Sequence, residues 1–567
     1  MVLDAEASTG YFRRKSHIVF PTSEFACRQP EEMNMAKRNA VLHPIIYVRG
    51  YAMTRGEIDD TTADPFCGFN LGSTVFRATP DKNRPPRKFI FESPVLRLGA
   101  EGYSDVFTDG LDIADPDWNQ SISRQSIIIY RYYDPASNLL GTGETPEIQE
   151  FAKGLSRLIE RVRDLVCQDP KNSTTVDAFR CYLVAHSMGG LVCRAFLQNP
   201  KLDEKETRKH VDKFFTYATP HNGIDMAGVN VPSWLSPMDL KNFNRETMAD
   251  FLNLKQVFKE TKRVDWLPEE AFPSERVFCL IGTNRSDYET AQGLSRTFVG
   301  HGSDGLVRIE NAWVCGVRSS GEESVPTAKA FVYRSHSGYY GIVNSEESYQ
   351  NLVRFLFGDI RVDIWLDVEE IRLPSALQTE EAAGKEIDAL YQFEILASPR
   401  GKLWYLTRRV AEEDSVACLT HKEWKTWKDS IASAKKPLSF YLSTVFLDKD
   451  ARIDKTRSSL AYSMTLGARV PDYEIERRLW LNEHYEGGYL FRDSATIEIF
   501  PPQTSNADWE VKFDWQSTNP GKATTSLLPR PLNDKQLEFK IPFGNDKHPG
   551  IRGSLRFIAS EWNHWNT

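Results

Sequence analysis

The sequence predicts an α/β region followed by an all-β region, and three observations point that way. From about 41 to 358, short β-branched or aromatic runs alternate with helical patterns, as βαβ units around a mostly parallel sheet do. After about 359, strand-like runs follow one another with turns and no helices between them, the texture of a β-sandwich. The chain is 567 residues, with 41% hydrophobic and 26% charged residues, which is room for about two to four domains and leaves no case for long disorder, collagen or coiled coil. The expected division is an N-terminal extension (1–40), an α/β domain (41–358) and a β-sandwich domain (359–567).

In the α/β region the strands read as Pro44 to Val48, Ser126 to Tyr132, Cys181 to Ala185, Phe214 to Ala218 and Val277 to Ile281. A crossover helix follows Thr145-Pro146-Glu147, read as an N-cap with proline at the first helical position, and buries Ile148, Ala152, Leu155, Ile159, Val162 and Val166. A last helix is capped by Ser345 and carries Tyr349, Leu352, Val353 and Leu356 on one face. Residues 225–270 separate two strands by far more than a usual connection. They contain Met226, Trp234, Leu235, Met238, Phe251, Leu254 and Trp266, so this insertion is either a lid or core. In the β region the runs are Val362 to Val368, Tyr391 to Leu396, Leu403 to Arg408, Leu438 to Phe446, Ser459 to Leu466, Ala495 to Phe500, Glu510 to Trp515 and Gly553 to Ser560.

The sharpest local signal is Cys181-Tyr-Leu-Val-Ala-His-Ser187-Met-Gly-Gly, a strand running through a small-x-Ser-x-Gly turn into an apolar helix. Small residues suit a serine held in a strained strand-to-helix turn. The plainer reading of Ser187 is a helix N-cap, which has no need of Ala185, Gly189 and Gly190. A serine hydroxyl becomes a nucleophile when a histidine takes its proton and a carboxylate orients that histidine. Downstream, Gly302-Ser303-Asp304-Gly305 places an acid on a glycine-flanked turn, with Asp287 as its competitor, and Arg334-Ser335-His336-Ser337 follows directly after a strand. His301 precedes the acid and is out of order.

These pieces, with Ile45-Ile-Tyr-Val-Arg-Gly50-Tyr51-Ala52 and Thr219-Pro220-His221-Asn222-Gly223, resemble the lipase and serine-esterase branch of the α/β-hydrolase superfamily over about 41 to 358. The resemblance implies a Ser187–Asp304–His336 triad, an oxyanion hole from the backbone N–H groups of Tyr51 and Met188, a structural role for His221, and action on lipid or fatty-acyl esters. Arg49 stands where that branch often has histidine. Trp234, Leu235 and Met238 are the expected acyl-chain contacts if the insertion is a lid. An acyltransferase, thioesterase or amidase would use the same triad, and a non-catalytic interaction protein would lean on the β-sandwich instead.

Seventy basic against 78 acidic residues, a net charge of −8, lacks the basic excess of nucleic-acid binders. Eight cysteines without regular spacing predict neither disulfides nor zinc. With no His pair at helical spacing, no aspartate-rich loop and no complete glycine-rich phosphate loop, no metal or cofactor is expected. No apolar stretch reaches membrane-spanning length and no signal-peptide pattern is present, so a cytoplasmic location is the expectation, with peripheral contact to a lipid surface open. Trp562 and Trp565 are expected to pack rather than touch a membrane.

Overall fold

The computed structural model describes residues 42–50, 74–77, 87–90, 93–106, 117–130, 132, 147–226, 229–230, 240–286, 302–321, 324, 326–337, 341–430, 436–449, 452, 456–457, 459–475, 483–500, 509–517 and 525–563. Seven short runs, rich in β-branched and aromatic residues, form one sheet: β1 (Ile45–Val48), β2 (Ser104–Asp105), β3 (Ser126–Tyr130), β4 (Cys181–His186), β5 (Val211–Tyr217), β6 (Val277–Gly282) and β7 (Ala328–Val332). Their spatial order is β7-β6-β5-β4-β1-β3-β2, and every pairing is parallel. A parallel sheet needs crossovers that cover both faces, and β1, β4, β5 and β6 are accordingly buried along their whole length. This is the α/β-hydrolase fold.

The covering helices follow the predicted periodicity. Helix α1 (Ile148–Cys167) buries Ile148, Ala152, Leu155, Ile159, Val162 and Val166 along one stripe. It starts at Ile148 rather than at Pro146, with Glu147 at the cap position and no side-chain capping bond. Helix α2 (Met188–Gln198) is buried on all sides. The former insertion supplies α3 (Arg245–Phe251) and α4 (Lys255–Thr261). Met248, Phe251 and Leu254 join the core cluster of α1 and α2, so this part of 225–270 is core; Trp234, Leu235 and Met238 lie outside the described residues. Helix α5 (Glu346–Phe357) starts as expected, with Ser345 Oγ accepting from Ser348 N at 3.2 Å.

Past Gly358 the chain builds two antiparallel sheets, and, against the expectation of strands without helices between them, two short helices (Ser375–Ala382 and His421–Ser430) interrupt the strands. One, in the order β12-β8-β19-β18-β17, contains β8 (Ile360–Arg372), β12 (Leu438–Leu447), β17 (Arg530–Asn533), β18 (Gln536–Gly544) and β19 (Gly550–Glu561). The other, in the order β10-β9-β13-β14-β15-β16, contains β9 (Ile387–Pro399), β10 (Thr407–Arg409), β13 (Leu460–Ile475), β14 (Glu483–Phe500), β15 (Glu510–Trp515) and β16 (Thr525–Leu527), with β11 (Ala417–Thr420) also on β9. Ile364 and Leu555 of the first sheet share one core with Phe393, Ile395 and Leu466 of the second, the packing of a sandwich.

The predicted strand Leu403 to Arg408 is mostly loop. Gly401 turns at φ +81°, Leu403 is fully exposed, and only Thr407–Arg409 pairs with β9. The edge of β9 is shared between β10 and β11, so neither ladder extends far.

Phe446 of β12 and Trp562 pack into the core on one face of the parallel sheet with Phe278 and Phe355. Trp562 Nε1 donates to Phe355 O at 2.7 Å, and Asn563 Nδ2 donates to Gly358 O at 2.7 Å. Lys213 of β5 has no solvent exposure and donates from Nζ to Leu356 O at 2.6 Å and to the Asn563 side-chain oxygen. Burial brings its pKa down to about 8. Trp562 packs as expected; Trp565 lies outside the described residues.

Candidate active site

In an open α/β sheet, ligands gather at the carboxyl ends of the strands, and four loops meet there. Ser187 follows β4 with φ 51° and ψ −124°, a backbone state costly to a residue with a Cβ. What holds it is close packing of the turn. A Cβ on Gly189 would run into the carbonyl oxygens of Val48 and Arg49, and one on Gly190 into the Thr219 side chain. Glycine at both places lets α2 start directly beneath the end of β1.

His336, after β7, receives Ser187. Its Nε2 lies 2.9 Å from Ser187 Oγ, and its Nδ1 lies 2.9 Å from Asp304 Oδ2. The other Asp304 oxygen accepts the backbone N–H groups of Leu306 (3.0 Å) and Val307 (2.8 Å), while Asp304 O accepts from His336 N at 2.9 Å. The carboxylate is thus locked in orientation and aims one oxygen at the imidazole. All three side chains are buried. With Nδ1–H donating to Asp304, Nε2 is left as the acceptor for the serine proton. Asp287 and His301 lie outside the described residues, as does Tyr51; Met188 opens α2 immediately after Ser187.

Three supports went unnoticed in the sequence. Tyr132 donates its hydroxyl to Arg49 O at 2.6 Å and sits 3.2 Å from Gly50 O, holding the loop that leads to position 51. Gly50 lies so close that a Cβ there would be 2.7 Å from His186 Nδ1 and 3.1 Å from Ser187 Cβ. His186, the residue before the serine, donates from Nε2 to His336 O at 2.9 Å, and the two rings lie 4.9 Å apart. Burial, helped by neighbouring His336, drives the His186 pKa down to about 3, so it is a neutral spacer. The third support is Glu413 from the β10–β11 connection, which accepts from Thr283 Oγ1 at 2.8 Å, one residue past Gly282. A Cβ on Gly282 would press on Asp304 Cβ at 2.8 Å. No signal could have exposed these partners, because each is made across the fold.

His221 is fully buried, with Nε2 3.2 Å from Thr216 Oγ1. Its carbonyl accepts from buried Arg194, whose other guanidinium bonds run to Gln198, Val264 and Trp266. Among the described residues, Asp472, Glu474 and His484 are the one group whose ligand atoms fall within 4.8 Å of one another, on the β13–β14 ladder and largely exposed. No helix among the described residues is long and apolar enough to cross a membrane.

Residues 142–230, which run from just before α1 through Ser187 to the Thr-Pro-His-Asn-Gly turn, match the family model of the PGAP1-like alpha/beta domain. No curated relative matches the chain. Among solved structures, it is similar to the Bacillus licheniformis lipase BlEst2 at 12% identity, over 56% of this chain and 93% of that one, with a TM-score of 0.28. Aspergillus fumigatus lipase B matches at 12% identity over 57% and 54%, TM-score 0.27. Phospholipase PlaB from Legionella pneumophila matches at 11% over 78% and 90%, TM-score 0.28.

Proposed function

We propose that this α/β-hydrolase chain is a serine hydrolase that cleaves carboxylic esters, of lipid or fatty-acyl type, through an acyl-enzyme on Ser187. One observation carries the reading: Ser187, His336 and Asp304 stand in a row of two 2.9 Å hydrogen bonds at the carboxyl edge of the sheet. In this mechanism His336 Nε2 takes the Ser187 proton as Oγ attacks the ester carbonyl, and Asp304 stabilises the imidazolium. The tetrahedral oxyanion is bound by the N–H of Met188, which opens α2 right after Ser187, and, as the motif resemblance implies, by that of Tyr51. Collapse breaks the bond to the alkoxy oxygen, and His336 hands that oxygen its proton. Water then repeats the sequence on the acyl-enzyme and releases the acid.

The division of labour is part of the proposal: 41–358 carries the chemistry and 359–567 props and positions it, through Glu413 at the acid loop and Trp562 beneath the sheet. The lipid preference rests on the motif resemblance. A panel of p-nitrophenyl esters from acetyl to palmitoyl, with phospholipids alongside, tests both levels. Turnover that rises with acyl length and vanishes in Ser187→Ala supports the reading. No turnover on any ester, or turnover that survives Ser187→Ala, contradicts it.

A further inference from the structure

The β9–β10 connection presents apolar surface to water although it is well fixed. Its ends are stapled by Arg400 N to Ala461 O (3.0 Å), Lys402 N to Pro399 O (3.1 Å) and Leu406 N to Ala397 O (2.8 Å). Trp404 lies under the Arg354 guanidinium of α5, 5.4 Å from ring centre to carbon. Leu403 between these anchors is nonetheless fully exposed. Beside it Trp404 and Tyr405 are part-exposed and Tyr333, three residues before His336, is 44% exposed. A lone exposed leucine is ordinary; one ringed by three aromatics at the rim of a cleft is a patch.

The charge around that patch is positive. Arg400 and Lys402 lie just before Leu403, both exposed, and neither has a carboxylate partner among the described residues. Behind them a cleft of about 250 Å³ is lined by Tyr333, Arg334, Glu347, Leu403, Tyr405 and Arg408. Arg334 pairs with Glu347 and Arg408 with Glu413, so the cleft is balanced and the net charge belongs to the outer rim. In a chain that carries −8 as a whole, Arg400 and Lys402 put two exposed positive charges within three residues of the apolar tip.

We propose that the 400–406 loop is a docking device for an anionic phospholipid surface, inserting Leu403 among the acyl chains while Arg400 and Lys402 engage headgroup phosphates and the aromatics sit at headgroup level. The surface deepens the ester-hydrolase reading, because Tyr333 and Arg334 lead directly into the His336 loop: a docked bilayer lies beside the loop that carries the proposed base. Charge decides for a membrane over a protein, since exposed basic side chains around an apolar tip match an array of phosphates.

The test is co-flotation of the full chain with vesicles of phosphatidylcholine, with and without phosphatidylglycerol. Wild type is expected to partition onto the anionic vesicles, and Leu403→Asp or the pair Arg400→Glu/Lys402→Glu to lower that partition about tenfold or more. Hydrolysis of a short soluble ester should be unchanged in both variants, which shows that they fold. Wild type remaining in the aqueous phase, equal binding to both vesicle types, or variants that bind like wild type would each overturn the docking surface. Leu403-dependent binding in a chain without esterase activity upholds docking and sinks the hydrolase reading alone.

Discussion

Ser187 sits at φ 51°, where a Cβ is strained, and that strain separates stability from activity at a single residue. Both Ser187→Ala and Ser187→Gly remove the hydroxyl, and each should lower turnover on the order of 10⁴-fold, as should His336→Ala; Asp304→Asn should also cost steeply. The glycine variant, free of the strained Cβ, should unfold at higher denaturant than the alanine variant by about 1 kcal/mol; equal midpoints would show that the turn stores no strain. A second consequence concerns pH. His186 and His43 are held by burial near a pKa of about 3, below the ordinary 6.5. Between those values the unfolded chain binds more protons than the folded one, so stability is complete above about pH 6.5 and falls as pH drops towards 3. His186→Gln keeps an N–H donor without the titration, and should flatten the fall in unfolding free energy between pH 6.5 and 5 by about 1 kcal/mol per unit. A slope equal to wild type would contradict a neutral, buried His186. At this scale, chain order and strand-end placement pointed to Ser187, Asp304 and His336, whose side chains lie in one row of hydrogen bonds. Tyr132, His186 and Thr283 were illegible because their partners are backbone or side-chain atoms far along the chain.

The elements were legible where one periodicity ruled. Helix α1 has a single apolar stripe and β4 a continuous apolar run, and both appear within two residues of where the pattern puts them. The strand expected at Leu403 failed because a run of apolar and aromatic residues says nothing about whether an edge is free to pair. Strands β17 and β18 gave no expectation at all, since Arg530–Asn533 is exposed at every position, Gln536–Gly544 is interrupted by polar residues, and both take their order from neighbouring strands. The insertion divides in the same way: Met248, Phe251 and Leu254 became core because α3 folds back against α1 and α2, which no local pattern announces. The junction of β4 with α2 is the element most sensitive to size. Gly189→Ala should cost about 1–3 kcal/mol by forcing α2 away from the Val48 and Arg49 carbonyls, and kcat should drop with it because Ser187 rides on that turn. Thermal melts and turnover measured together check this, and a variant unchanged in both would mean the helix start has slack.

For the whole molecule, the β-sandwich is bound to the α/β part by buried rather than surface contacts. Phe446 and Trp562 fill the underside of the sheet, and Lys213 finds its acceptors at Leu356 and Asn563. Removing 359–567 would take the Asn563 acceptor from Lys213 and leave an apolar face in water, so a 1–358 fragment should be insoluble or aggregated, and Trp562→Ala in the full chain should cost about 3–5 kcal/mol. A soluble, fully active 1–358 fragment would show the sandwich to be a detachable module. A 359–567 fragment that hydrolysed esters by itself would end the proposed division of labour. The central claim is that Ser187 is a nucleophile activated by His336, and covalent labelling asks this without assuming a substrate. The purified chain, treated with a fluorophosphonate probe and mapped by peptide mass spectrometry, should carry one adduct on Ser187, absent in Ser187→Ala and strongly slowed in His336→Ala. An unlabelled wild type, or an adduct that persists after Ser187 is replaced, would contradict it.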